Sequence, residues 1–451
     1  MVPAPDLAAQ LAARLTEVLG KDVEIGGLHR LTGGASRETW SFTANGERLI
    51  LRRDPPGTRD RPLGMVLEAR AIAAAERAGV PVPHLVDHGA DPAVVGAPYL
   101  VTRHVDGETI ARRLLRDAAY ADVRPRLAAE LGRAVARVHA IPLAEVPGLE
   151  EREPLTHLRE TYDALDEPLP SVEIALHWLE RHRPAEVSET VVHGDFRNGN
   201  MIIAEDGLKA VLDWEAVHRG DPREDLGWLC VKCWRFGEEP AVGGYGPLDD
   251  LLDGYAEVAG TRPDPEAVRW WQVYGTARWA VGCRGMAERH LSGAVPSVEL
   301  IAIGRRVCEQ EHDLFLALGH PAGEPTVEPA VESAGPSDLH GQPTAAQLLD
   351  AVAMFLREDV MPGTGGRLSF NARVAANVVD TVARELSLGP AQERRHEARL
   401  AAFGAADQRE LATAIRKGLV DPENPPLLAA VRAGITDRLR VANPRYLTYP
   451  G

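Results

Sequence analysis

The segment Val191-Val192-His193-Gly194-Asp195-Phe196-Arg197-Asn198-Gly199-Asn200-Met201-Ile202-Ile203 decides the fold. Apolar runs begin and end it, which predicts two strands joined by a polar loop. The loop places an aspartate five residues before an asparagine. A further apolar run, Ala210-Val211-Leu212, then ends at Asp213 and is followed by Trp214-Glu215. The alternative is a hairpin with incidental turn residues, but the ordered pattern favours two carboxylates and an amide delivered to one centre.

These residue types suit phosphoryl transfer. The transferred group carries spread negative charge, so metal ions must bridge the phosphates. Magnesium prefers hard oxygen ligands, which predicts Asn200 and Asp213 as metal ligands. The acceptor hydroxyl needs a separate carboxylate to orient it and take its proton, which predicts Asp195 as the base. His193 is a second catalytic candidate, with support of the loop backbone through hydrogen bonds as the alternative.

Composition sets limits on the class of protein. A length of 451 residues predicts two or three domains, and 45% hydrophobic with 26% charged residues is typical of a globular protein. The formal charge of −16 argues against a nucleic acid or a membrane surface as partner, since both need a basic face. The first 19 residues lack the features of a signal peptide, so we expect a cytoplasmic protein. The sequence leaves a homo-oligomer open.

The first hundred residues predict a small β-rich lobe, and residues 105–318 predict a larger lobe that is mostly helical. Asn45-Gly46 separates two strand candidates and indicates a hairpin. The predicted strands lie at residues 28–31, 39–43, 48–53 and 99–104. The predicted helices lie at residues 65–78, 128–140 and 172–181.

A proline-rich stretch at residues 319–341 predicts a linker, because such a run cannot bury apolar surface. Beyond it the apolar spacing predicts a small helical bundle, with helices at residues 344–360, 369–388, 390–403, 406–419 and 425–441. We therefore predict four parts: an N-terminal lobe with an N-terminal helix (1–104), a C-terminal lobe (105–318), the linker (319–341) and a helical accessory domain (342–451).

Cys230 and Cys233 form a C-x-x-C pattern. One interpretation is half of a zinc site or a redox pair. The other is two small apolar residues on one face of a helix. The chain has four cysteines and no second C-x-x-C, which favours the second interpretation.

The catalytic-loop and strand motifs resemble those of the aminoglycoside phosphotransferase-like (choline-kinase-like) superfamily, over roughly residues 25 to 315. The resemblance implies an α+β, bilobal protein-kinase-like fold that uses ATP and Mg²⁺. His193-Gly194-Asp195 through Asn200 matches the catalytic loop, and Leu212-Asp213-Trp214-Glu215 matches the metal-binding segment. The stretch from Gly220 to Gly227 comes next, and the resemblance implies that Asp225 braces the catalytic loop.

The same resemblance places the nucleotide upstream. Gly33, Gly34, Ala35 and Ser36 match the nucleotide loop, and residues 99–105, with Thr102 and His104, match the hinge strand. Kinases usually carry a lysine on the third strand, but no lysine lies between Lys21 and Lys209. Arg52 is the predicted replacement, because alternation puts it on the face of Ile50, and Arg53 is the rival. Glu68 is its predicted partner, with a solvated helix residue as the alternative.

The chain most resembles the branch related to kinases fused to acyl-CoA dehydrogenases, and residues 340–390 resemble a small helical protein that accompanies them. That resemblance implies a fusion that phosphorylates a 4-hydroxyacyl-CoA. The rivals are a kinase of an aminoglycoside, macrolide or amino alcohol, and a catalytically silent nucleotide-binding scaffold. Two basic or aromatic sets are candidates for a CoA site, with solvated faces and core tryptophans as the alternative: Arg269, Arg278, Arg284, Arg289, Trp270, Trp271 and Trp279; and Arg367 and Arg373.

Overall fold

The computed structural model describes residues 7–31, 37–55, 64–320 and 341–449. These residues form a small lobe built on a five-stranded sheet, a larger helical lobe and an all-helical C-terminal region. The predicted α+β, bilobal kinase-like fold with an appended all-α part is confirmed. Across the described ranges, every helix is too short or too polar to cross a membrane.

The small lobe is an antiparallel sheet with the spatial order β1-β2-β3-β5-β4. Its elements are α1 (Leu7–Leu19), β1 (Ile25–Arg30), β2 (Glu38–Ala44), β3 (Glu47–Arg53), α2 (Gly64–Arg77), β4 (Leu85–Gly89), α3 (Pro92–Val95) and β5 (Tyr99–Arg103). The β2–β3 hairpin turns at Asn45-Gly46, where both residues have positive φ, 50° and 84°. Strand β4 is absent from the sequence prediction because its two polar residues and its glycine hide any apolar alternation.

Strand β3 directs alternate side chains to two faces of the sheet. Leu49 and Leu51 are buried in a core with Leu11 and Leu15 of α1. Arg52 points to the other face, where α2 carries its ion-pair partner Glu68. The sheet therefore holds Arg52 towards the cleft between the lobes, as the alternation predicts.

The larger lobe combines nine helices and four short strands among its described residues. The helices are α4 (Ala111–Arg116), α5 (Arg124–His139), α6 (Pro154–Ala164), α7 (Pro170–Arg181), α8 (Arg223–Leu229), α9 (Leu248–Ala259), α10 (Pro265–Leu291), α11 (Val298–Gly304) and α12 (Val307–Ala317). Strand β6 (Thr190–Val192) pairs with β9 (His218–Gly220), and β7 (Met201–Ala204) pairs with β8 (Gly207–Val211), both antiparallel. These two ladders hold the loop and strand end that carry the predicted site.

The C-terminal region contains α13 (Ala345–Phe355), α14 (Met361–Gly363), α15 (Gly366–Ala401), α16 (Gln408–Arg416) and α17 (Pro425–Ala442). The predicted break at Gly389-Pro390 is wrong, because α15 continues through Pro390. Proline removes one helical hydrogen bond. Tertiary contacts outweigh that loss: just beyond Pro390, Gln392 Nε2 donates to the Asp437 carbonyl oxygen of α17 at 3.0 Å.

The C-terminal helices share one apolar core with the larger lobe. Leu176, Trp270 and Phe315 of that lobe belong to the same buried cluster as Leu411 and Ile435. The predicted linker lies largely outside the described residues. Among the described residues, α15, α16 and α17 pack against the larger lobe as a further layer, and α13 packs against α15.

Candidate active site

The catalytic loop, residues 193–200, runs between β6 and β7. Gly194 has a φ of 78°, and a Cβ at this position would lie 2.4 Å from the Ala216 carbonyl oxygen. Only glycine accepts this backbone conformation and this close approach without strain. Glycine is therefore required before Asp195, because the chain leaves β6 in close contact with the segment that follows Asp213.

Both ring nitrogens of the buried His193 are occupied. Nε2 donates to the Leu212 carbonyl oxygen at 3.0 Å, and Nδ1 accepts from the Asp195 backbone N–H at 3.2 Å. Burial lowers the pKa of His193, in keeping with the neutral ring that these two bonds require. The contacts therefore favour support of the loop over acid–base catalysis.

Asp225 supports the catalytic loop, as predicted, by accepting hydrogen bonds from two of its backbone N–H groups. Its Oδ1 accepts from the Gly194 N–H at 2.9 Å, and its Oδ2 accepts from the His193 N–H at 2.8 Å. His139 Nε2 lies 3.0 Å from the same Oδ2. Burial opposes ionisation, yet the hydrogen bond from His139 and those from the loop hold the pKa of Asp225 below its usual value.

Three donors fix the carboxylate of Asp195. Its Oδ1 accepts from Trp228 Nε1 at 2.8 Å and from Arg197 Nε at 2.9 Å, while its Oδ2 accepts from Asn200 Nδ2 at 2.5 Å. The side chain stays 20% exposed, so the carboxylate is oriented and still accessible. Arg197 and Trp228 are contributors that the motif did not identify.

The amide of Asn200 is oriented by Asp195. Its Nδ2 donates to the Asp195 carbonyl oxygen at 3.0 Å as well as to the carboxylate. This use of the nitrogen means that the amide oxygen, the atom a metal would require, is not bonded to Asp195. The Asn200 carbonyl oxygen also accepts from the Leu212 N–H at 2.8 Å, which ties the loop to the strand leading to Asp213.

Asp213 lies after β8 in a left-handed conformation, with φ 65° and ψ 63°. Non-glycine residues rarely adopt it, and such strain is concentrated at functional sites. The Oδ1 atom accepts from Arg52 Nη2 at 2.7 Å. Burial works against the charged form, but Arg52 holds the pKa of Asp213 below its usual value.

Arg52 joins the two lobes by pairing with Glu68 of α2 as well as with Asp213. Arg53 lies on the opposite face, where it donates to Glu38 at 2.8 Å and to the Val95 carbonyl oxygen at 2.6 Å. Of the two arginines, Arg52 has the geometry of the missing strand lysine. Glu68 is buried, so the solvated alternative is excluded.

Arg37 is a site residue that sequence reasoning missed. It pairs with the second oxygen of Glu68, so one buried carboxylate lies between two guanidinium groups. Burial and the nearby Arg52 lower the pKa of Arg37. Its place directly after the glycine-rich loop was the available signal, but its partner lies 31 residues away.

The remaining nucleotide candidates lie at the hinge and in the glycine-rich loop. Thr102 is buried opposite Ile50, which places it on the sheet face that carries Arg52. The His104 backbone N–H donates to the Arg48 carbonyl oxygen at 3.0 Å. Gly33, Gly34, Ala35 and Ser36 lie outside the described residues.

The candidate CoA residues separate into two groups. Arg278 donates to the Gly194 carbonyl oxygen at 2.7 Å and to Glu224 at 2.9 Å, so it supports the catalytic loop. Trp270 and Trp271 are core residues. Arg284 and Arg373 instead line a large cavity between the larger lobe and the C-terminal helices.

Cys230 and Cys233 are both buried, and burial raises the pKa of the Cys230 thiol to about 12. Within the described ranges, no three His, Cys, Asp or Glu side chains are grouped as a metal would need. Both cysteines are core residues, but they do not share one face of a helix: Cys230 follows α8 in the main core of the larger lobe, and Cys233 lies in the turn Lys232–Arg235 in a separate cluster with Trp234. A magnesium site of the kind predicted does not need such a cluster, since substrate phosphates and waters complete its coordination.

Comparison with known families gives two matches along the chain. The profile of the phosphotransferase enzyme family (APH) matches residues 27–271, which is more than half of the chain. A domain of unknown function (DUF6285) matches residues 362–446. The second match covers all of α15, α16 and α17.

Two curated relatives are acyl-CoA dehydrogenase family member 10 of Mus musculus and family member 11 of Pongo abelii. The first is 27% identical over 233 residues, 48% of this chain and 21% of that protein. The second is 27% identical over 367 residues, 73% of this chain and 44% of that protein. The chain thus spans less than half the length of either relative.

Two solved structures share the fold. A candidate aminoglycoside phosphotransferase from Ralstonia eutropha has a TM-score of 0.56 at 20% identity, covering 69% of this chain and 98% of its own. A spectinomycin phosphotransferase with ADP and spectinomycin has a TM-score of 0.51 at 11% identity, covering 70% and 99%. At these identities the likeness establishes the fold alone.

Proposed function

This chain belongs to the phosphotransferase enzyme family, and we propose that it transfers the γ-phosphoryl group of ATP to a hydroxyl group of a small molecule. One observation carries the proposal. A guanidinium from the small lobe, Arg52, meets Asp213 beside a loop in which Asp195 orients Asn200. Each of these side chains has a task in phosphoryl transfer, and a silent scaffold would not need the oriented Asp195.

Each residue then has a defined role. Asp195 orients the acceptor hydroxyl and takes its proton. Arg52 contacts the phosphates, held in place by Glu68, and its two-pronged guanidinium suits phosphate oxygens. The sequence match assigns Gly33, Gly34, Ala35 and Ser36 to binding of the phosphates, and Thr102 and His104 to the border of the base.

The residues present fit a magnesium ion. Asn200 has its nitrogen engaged and its amide oxygen free of Asp195, and Asp213 is held in its ionised form by Arg52. Hard oxygen donors of this kind are what Mg²⁺ prefers. Magnesium supplies charge neutralisation for the phosphates, and Asn200 and Asp213 would hold it.

A 4-hydroxyacyl-CoA is the best-supported acceptor. The cavity beside the catalytic loop has a volume of about 2120 Å³ and reaches the loop at Gly199. Its lining, counted among the described residues, contains ten arginines, one lysine and nine carboxylates. A space of this size and charge suits a long polyanion such as an acyl-CoA.

Helix α15 supplies cavity arginines that have no carboxylate ion-pair partner among the described residues. Arg373 and Arg384 lie eleven residues apart, about 16 Å along one face of the helix. Both line the cavity. Within the described part of the chain, Arg384 donates to the Val441 carbonyl oxygen and to Thr381, and Arg373 lies over the Phe370 ring. Cations not neutralised by carboxylates are available for the phosphates of CoA. The names of the two relatives, both acyl-CoA dehydrogenase family members, agree with this acceptor.

Phosphorylation also makes chemical sense for such an acceptor. A hydroxyl at position 4 of an acyl chain is a poor leaving group, and its phosphate ester is a good one. The product would therefore suit an enzyme that eliminates phosphate. The rival acceptors, an aminoglycoside, macrolide or amino alcohol, are cations or lack the phosphates that would use Arg373 and Arg384.

Coupled ADP release from the full-length protein tests the proposal. We would compare 4-hydroxyvaleryl-CoA, free 4-hydroxyvalerate and kanamycin as acceptors. Release stimulated by the thioester alone is the expected result. Stimulation by kanamycin would transfer the assignment to the antibiotic kinases, and no stimulation by any acceptor would favour the scaffold.

A further inference from the structure

Exposed apolar side chains are concentrated in one small part of this molecule. Half of the large apolar side chains that the described residues leave exposed lie on α13 and α15, between residues 348 and 386. They are Leu348, Val352, Met354, Phe355, Leu368, Phe370, Val382 and Leu386. Single exposed apolar residues are normal on a protein surface, whereas a concentration of this kind marks an interaction surface.

Most of these side chains form two stripes, one on each helix. The α13 stripe consists of Leu348, Val352 and Phe355, each about half exposed, at steps of four and three residues. The α15 stripe follows the same alternation, with steps of seven, four, three and four residues, and consists of Leu368, Ala375, Val379, Val382 and Leu386. This spacing keeps apolar residues on one side of a helix and is the repeat with which helices pack against each other.

Helices α13 and α15 form an antiparallel hairpin. Just before and after the chain reverses, Ser369 Oγ donates to the Met361 carbonyl oxygen at 3.1 Å. Further from the reversal, Arg357 Nη2 donates to Asn377 Oδ1 at 3.3 Å. Residues earlier in α13 therefore lie beside residues later in α15. Continued along both helices, this register brings the two stripes level, so that they run side by side.

The two stripes lie on one open face of the hairpin. Where the helices meet, α13 buries Ala353, and α15 buries Ala372 and Ala376. The ion pair of Arg357 with Asp380 lies along one edge of this contact, at 2.5 Å. At about 100° per residue, both stripes project from the opposite edge. We call this side of the hairpin, formed by the α13 and α15 stripes, the hairpin face; its stripes contain no charged residue.

The hairpin face is large enough to support a stable dimer. The α15 stripe extends from Leu368 to Leu386, which is about 27 Å of helix. Two packed helices lie about 8–10 Å apart, so the face is about 20 Å wide. The projected area is therefore on the order of 500 Å², and the side chains around it bring it towards the about 800 Å² that each partner buries in a standard interface.

A second copy of this chain is the occupant that matches the hairpin face. Residues 321–340, the longest segment outside the described residues, contain four acidic residues and four prolines but only three large apolar residues, Val327, Val331 and Leu339. Such a segment cannot cover two apolar stripes. A second hairpin supplies the same pair of stripes, and a two-fold axis brings identical patches together as a four-helix bundle.

We propose that the chain forms a homodimer through the hairpin face, with α13 and α15 of each copy making a four-helix bundle. The inference goes beyond the proposed phosphoryl transfer and does not rest on it. It also gives α15 two separate surfaces, because Arg373 on the same helix lines the large cavity. The bundle would hold in place the helix that supplies this cavity cation.

The test measures the mass and the dimer Kd of the full-length protein over a dilution series, by light scattering and sedimentation velocity. The wild type should reach twice the chain mass of 48.8 kDa. Val352→Glu places a charge from each copy within the apolar bundle, and Leu386→Glu does so independently from the second stripe. Each should raise the dimer Kd by about 100-fold or more, because a charge without a partner is costly to bury.

Val258→Glu is the matched control, since Val258 is an exposed valine on α9 of the larger lobe. Its dimer Kd should equal that of the wild type, and circular dichroism should show wild-type helix content in all three variants. Should a glutamate unfold its helix, Val352→Thr keeps the side-chain shape, adds only a hydroxyl, and should still weaken the dimer about 10-fold.

A wild-type protein that stays monomeric throughout the dilution series would overturn the proposal and leave the hairpin face to a different partner. A dimer that withstands both Val352→Glu and Leu386→Glu would overturn it as well, by placing the interface elsewhere. ADP release from the same samples separates this inference from the proposed reaction. A dimer weakened by both variants but inactive with every acceptor would uphold the hairpin face while the kinase proposal fails.

Discussion

Carboxylates meet arginines in two parts of this molecule, with different results. In the cleft between the lobes, Asp195 and Asp213 remain 20% and 30% exposed. Between the larger lobe and the C-terminal helices, Glu311 is 1% exposed and accepts from Arg438 at 2.8 and 2.9 Å and from Ser171 at 2.7 Å. Asp195 and Asp213 are therefore oriented and still accessible to a ligand, whereas Glu311 is enclosed by its donors.

The physical reason is how completely each charge is neutralised. A carboxylate that keeps an exposed edge can exchange an arginine for a metal or substrate at small cost. A carboxylate enclosed by donors has no such freedom, and removing one partner leaves an uncompensated buried charge. Ion pairs alone therefore do not mark a site. The exposed edge of Asp195 and Asp213 distinguishes their pairs from those of Glu311.

The largest effect should come from Asp195→Ala. We expect about a 10³-fold loss of turnover, because the acceptor hydroxyl loses its base and Asn200 loses its orienting partner. Nucleotide affinity should change little, since Arg52 and Asp213 remain. ADP release and calorimetry with ATP measure the two quantities. A parallel collapse of ATP affinity would show that Asp195 belongs to the nucleotide site.

Glu311→Ala should destabilise the fold without being part of the site. Arg438 keeps about a third of its side chain exposed, so we expect the low end of the cost of breaking a buried pair, about 3 kcal/mol. Urea unfolding measures this change. Glu423→Ala is the control, because its pair with Arg181 is exposed on both sides and should be worth under about 1 kcal/mol. Equal losses of unfolding free energy in the two variants would show that the enclosed pair of Glu311 is worth no more than an exposed pair.

Asp213→Ala should weaken binding of magnesium nucleotide about 100-fold, since it removes a charged metal ligand. Binding of ADP without magnesium should be much less affected. Titration of ATP at several magnesium concentrations measures the effect. An unaltered magnesium dependence would mean that Asp213 only anchors Arg52.

Arg52→Lys should have the smallest effect, about 3- to 10-fold on the KM for ATP. Lysine keeps the charge but cannot reach Glu68 and Asp213 together as the guanidinium does. Steady-state kinetics with varied ATP checks this expectation. Improved ATP use would instead indicate that the arginine serves the bridge between lobes and not the phosphates.

Local pattern was sufficient to predict the loop, the strand end and the arginine that faces the cleft. The His-Gly-Asp loop, the strand end at Asp213 and the alternation that selects Arg52 are read over a few residues, where strand period and turn chemistry decide geometry. Reading only neighbouring residues gave the wrong result at Gly389-Pro390, where the predicted break in the helix is absent. There the helix continues through the helix-breaking Gly-Pro pair because it packs against α17. Gln392 and its hydrogen-bond partner Asp437 are 45 positions apart in the chain.

The sequence by itself determined the bilobal fold class and the residue types of the candidate active site, because both depend on short-range order. Only the tertiary structure decided that Arg37 shares Glu68 with Arg52 and that the C-terminal helices pack against the larger lobe. Those contacts join residues 31 to more than 200 positions apart. Chain spacing cannot reveal them, because burial and pairing at such separations depend on how the whole chain packs.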